Sequence, residues 1–97
     1  MKVLKIKSKM SESGFLIREK DLEVWRAMLN DKGLFCEIIA SYDHGYVLIL
    51  KYKQKYMPLM DEVIMLFSSE EEAKEAWDEL QEKNKYGGYE IMPLSSN

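Results

Sequence analysis

The chain has 97 residues, 46% of them apolar and 32% charged, with a formal net charge of −3. That is the length of one domain and the composition of a folded body, not of a disordered one. The acidic balance disfavours unspecific attraction to phosphate, no apolar run approaches the ~18–20 residues of a membrane span, and the single cysteine, Cys36, excludes an intramolecular disulfide.

Residues 2–8 alternate, with Leu4 and Ile6 on one side and Val3, Lys5 and Lys7 on the other, the period of a half-buried strand. The same alternation interrupts any apolar block of a signal peptide, so a soluble, uncleaved, cytoplasmic protein is expected. Ser11-Glu-Ser-Gly14 carries turn residues, and Phe15-Leu-Ile17 is expected to return as a second short strand. Asp21 is placed to cap a helix running to about Asp31, with Leu22, Trp25, Met28 and Leu29 on one face and Gly33 as a left-handed C-terminal cap.

Strands over 34–42 and 46–53 follow. Asp43-His44-Gly45 between them reads as a three-residue hairpin loop with Gly45 left-handed. That register sets Tyr42 against Tyr46, Ala40 against Leu48 and Ile38 against Leu50 on one face. On the other it sets Ile39 against Ile49 and Glu37 against Lys51.

Residues 54–61 read as a loop, because Pro58 cannot donate to a central ladder. Glu62–Phe67 is an apolar strand. Ser69 and Glu72 have capping-box spacing, and Ala73, Ala76, Trp77 and Leu80 form the buried stripe of the helix that follows. Glu70 with Lys74, and Glu79 with Lys83, stand four residues apart as opposite charges. Gly87-Gly88 ends that segment and residues 89–94 make a last strand. No repeat, low-complexity stretch or linker is legible.

The order β(β)αβββαβ predicts a single α+β domain over residues 1–97. Its sheet is mixed or mainly antiparallel, with five to six strands and two helices packed on one face, ferredoxin-like in element order. Residues 62–94 have the layout of a βαβ unit with parallel strands.

No catalytic constellation is visible. On one hairpin arm Cys36 and His44 would lie more than ~20 Å apart at strand rise, too far for a nucleophile and base. His44 reads as an exposed turn residue and Cys36 as a small core residue. One histidine and one cysteine do not close a zinc site, and there is no calcium loop. Gly87-Gly88 follows a helix, whereas phosphate cradles precede one. No enzyme activity, cofactor or metal is expected.

Binding surfaces are the remaining candidates. Residues 70–82 hold seven acidic residues against Lys74 alone, a solvated helix face or a dock for a basic partner. Phe35, Ile39, Val47 and Ile49 fall on the sheet side opposite the helices. Tyr52, Tyr56, Met57, Pro58, Leu59 and Met60 cluster in a loop-like segment suited to adaptable contacts. This predicts a small regulatory or accessory module that binds a protein partner, or self-associates as a homo-oligomer, through Phe35, Ile39, Val47, Ile49, Tyr52, Tyr56, Met57, Leu59 and Met60. The alternative is a single-stranded RNA or DNA binder using Lys5, Lys7, Lys51 and Lys53. Against it, His44-Gly-Tyr-Val-Leu-Ile49 offers aliphatics where an RNA-binding sheet presents stacking rings.

Overall fold

The strands divide between two sheets. The computed structural model describes residues 1–54 and 61–94. Among these, in chain order, lie β1 (Val3–Ser8), β2 (Ser11–Arg18), α1 (Leu22–Asp31), β3 (Glu37–Tyr42), β4 (Tyr46–Tyr52), β5 (Glu62–Phe67), α2 (Glu70–Asp78) and β6 (Tyr86–Pro93). The α+β class and the two helices are as expected. In place of one sheet of five to six strands there are two three-stranded sheets, ordered β2-β1-β3 and β5-β4-β6. All neighbouring strands are antiparallel.

The pairing of β3 makes the difference. It lies against β1, with Val3 opposite Tyr42 and Lys5 opposite Ala40, and not against β4. Asp43-His44-Gly45 therefore closes no hairpin. Gly45, at φ +100°, is tied instead to the strands that follow: its carbonyl accepts from Leu94 N at 2.8 Å, and a Cβ on it would sit 2.8 Å from the Phe67 carbonyl oxygen. β5 and β6 run in the same direction, but they flank β4 and are not neighbours.

The described residues thus form two compact units, over 1–43 and 44–94. Each runs strand, strand, helix, strand, with its first strand in the centre of its sheet. The element order is a repeat that no sequence period announces.

In the first unit β1 and β2 turn at Lys9-Met10, ahead of the expected Ser11–Gly14, with Met10 N donating to Ser8 Oγ at 3.1 Å. Ile6, opposite Phe15, and Leu4, opposite Ile17, share a face. Phe15 meets Trp25 edge-on at 5.0 Å, which seats α1 on that face. Leu4, Ile6, Ile17, Trp25 and Leu29 are buried. Asp21 precedes α1 but makes no side-chain cap bond. The other end closes as expected: Gly33 at φ +71° donates to the Asn30 carbonyl at 3.0 Å, and Leu34 N to the Leu29 carbonyl at 2.8 Å. Those paired bonds form a Schellman cap that satisfies carbonyls the helix leaves open.

In the second unit Leu48, Leu50 and Ala73 form a buried cluster, flanked by Val63, Met65, Trp77 and Ile91. Burying a leucine fully contributes about 1.5–3 kcal/mol. Ser69 caps α2, its Oγ accepting from Glu72 N at 3.1 Å. The Glu72 carboxylate accepts from the Ser68 hydroxyl at 2.9 Å, so the box closes one residue earlier than its spacing predicts.

Candidate functional site

Three apolar side chains in the stretch between α1 and the middle of β3 are exposed. Phe35 is 47% exposed, Ile38 43% and Ile39 43%. Phe35 has φ +37°, and it is the only non-glycine residue with positive φ among those described. For a bulky side chain this conformation is strained by roughly 1–2 kcal/mol. It falls just after the left-handed Gly33, where the chain leaves its helix cap and turns into β3. Lys9 Nζ stands 5.9 Å from the Phe35 ring centre. Lys7 pairs with Glu37 at 3.4 Å. This exposed pair adds little stability, but it neutralises the one charge in β3.

Other predicted interface residues fall elsewhere. Val47 and Ile49 are fully buried, which removes them from any exposed face. β4 is a central strand whose Leu48 and Leu50 are buried as well. The sequence did carry that signal, since an unbroken apolar run such as Val47-Leu-Ile-Leu50 marks a strand covered on both faces. Tyr52 is half-buried, its ring 5.2 Å from that of Tyr86, whose phenol is pushed up chiefly by burial and next by Tyr52. Tyr56, Met57, Leu59 and Met60 lie outside the described residues. Ile38, assigned by the hairpin register to a place opposite Leu50, lies opposite Ile6 and is exposed.

The four lysines of the nucleic-acid reading do not project from one sheet. Lys5 and Lys7 belong to β1, whereas Lys51 lies near the end of β4 and Lys53 follows it. Glu37, expected opposite Lys51, pairs with Lys7, and Lys51 reaches Glu90 at 3.7 Å.

On α2 the charges bind each other in an arrangement unlike that predicted by spacing. Lys74 donates to Asp78 Oδ1 and to Tyr89 Oη, both at 3.2 Å. The Tyr89 bond, then Asp78, pushes its ammonium pKa up. Lys83 donates to the Asp78 carbonyl at 3.1 Å and lies 5.3 Å from the Trp77 ring centre. Trp77 in turn stacks on Tyr89 at 4.2 Å. The lysines are spent on closing the C-terminal turn of the helix.

His44 is exposed. Cys36 is half-buried; burial pushes its thiol up, partly offset by the Arg26 charge. That is the reverse of the shift that activates a nucleophilic cysteine. Among the described residues no group of three His, Cys, Asp or Glu side chains is placed to hold a metal ion. Among them, too, no helix is long and apolar enough to cross a membrane.

Comparison with known proteins adds no assignment: no protein-family model, no curated protein and no solved structure matches the chain.

Proposed function

We propose that the chain is a small protein-binding module that acts through a protein interface and performs no catalysis. The observation that carries this reading is the exposed trio Phe35, Ile38 and Ile39 within five residues of one another. Isolated exposed apolar residues need no explanation, but three within five residues, one of them a phenylalanine held at positive φ, do. An interface core wants this composition: apolar and aromatic side chains with their charges moved to the rim. Here Lys9 and the Lys7–Glu37 pair supply the rim.

The nucleic-acid reading has less support. Lys7 and Lys51 already hold carboxylates, and the net charge is −3. It predicts affinity that falls steeply with salt and is lost in a Lys51→Glu/Lys53→Glu variant.

Phe35→Gly is the discriminating substitution. It releases the left-handed strain and adds chain entropy of similar size, so stability should stay within about 1 kcal/mol of wild type. Binding of a protein partner should fall by about tenfold or more if the ring is an anchor. Calorimetric melting with quantitative capture, on wild type and variant, measures both. A variant that unfolds early, or binds its partner undiminished, would remove this reading.

A further inference from the structure

We draw no further inference here: the strongest candidate, the edge of β3 that among the described residues pairs with no strand and carries the exposed Ile38 and Ile39, supports no proposal because nothing in the structure shows what covers it.

Discussion

Two glycines with the same sign of φ separate conformational freedom from space. Gly33 has φ +71° and open space where a Cβ would go; Gly45 has φ +100° and the Phe67 carbonyl at 2.8 Å. Gly33→Ala should therefore cost only the left-handed penalty, about 1 kcal/mol. Gly45→Ala should cost about 2 kcal/mol or more, because backbone must also move. Urea unfolding of the two variants measures the difference, and equal losses would contradict the close approach at Gly45. Cys36 gives a pH test. Burial holds its thiol above the ordinary value, so the folded chain keeps its proton where the unfolded chain releases it. Whatever stability this linkage contributes is present below the unfolded thiol pKa and is lost as pH rises towards the folded one. Alkylation by iodoacetamide near neutral pH should be slower in the native chain than in the denatured one, with its pH profile displaced to the alkaline side. A native thiol that reacts faster would contradict this.

The helices show which end signals carry weight. Both Asp21 and Ser69 stand where a cap is predicted, but only Ser69 accepts the backbone hydrogen bond. Ser69→Ala should lower stability by about 1 kcal/mol, and Asp21→Ala by much less; thermal melts of both variants test the contrast. The acidic residues opening α2 lie on the favourable end of its dipole. Its last turn has no basic residue of its own, and Lys83, from beyond the helix, supplies the missing donor to the Asp78 carbonyl. Sequence spacing placed Lys74 with Glu70 and Lys83 with Glu79. In the fold Tyr89, fifteen positions away, draws Lys74 towards Asp78. Side-chain pairing along a helix yields when a residue from another element offers a second partner.

At the scale of the molecule the pairing of β3 with β1 decides how much was legible. The spans of β1, β4, β5 and α1 follow closely from apolar period and turn residues, as does the start of α2, which ends at Asp78 and not at residue 82. Two sheets of repeated strand-strand-helix-strand order do not, because Asp43-His44-Gly45 looks like a hairpin loop and passes from one unit to the next instead. Of the candidate surface, Phe35 and Ile39 were legible as apolar residues away from the helix stripe. The exposure of Ile38 depended on the pairing of β3 and was misread with it, whereas the burial of Val47 and Ile49 was signalled by the unbroken apolar run of β4 and missed.

By itself the sequence determined what short-range forces decide: the α+β class, the end of α1 at Gly33, the start of α2 at Ser69, and which residues of each segment are apolar. Such choices rest on bonds and contacts within a few residues. Tertiary structure alone decided that β3 joins β1 and that Phe35, Ile38 and Ile39 remain in water. Backbone donors and acceptors are the same in every strand, so side-chain alternation tells a strand which face is apolar but never which edge its neighbour will take.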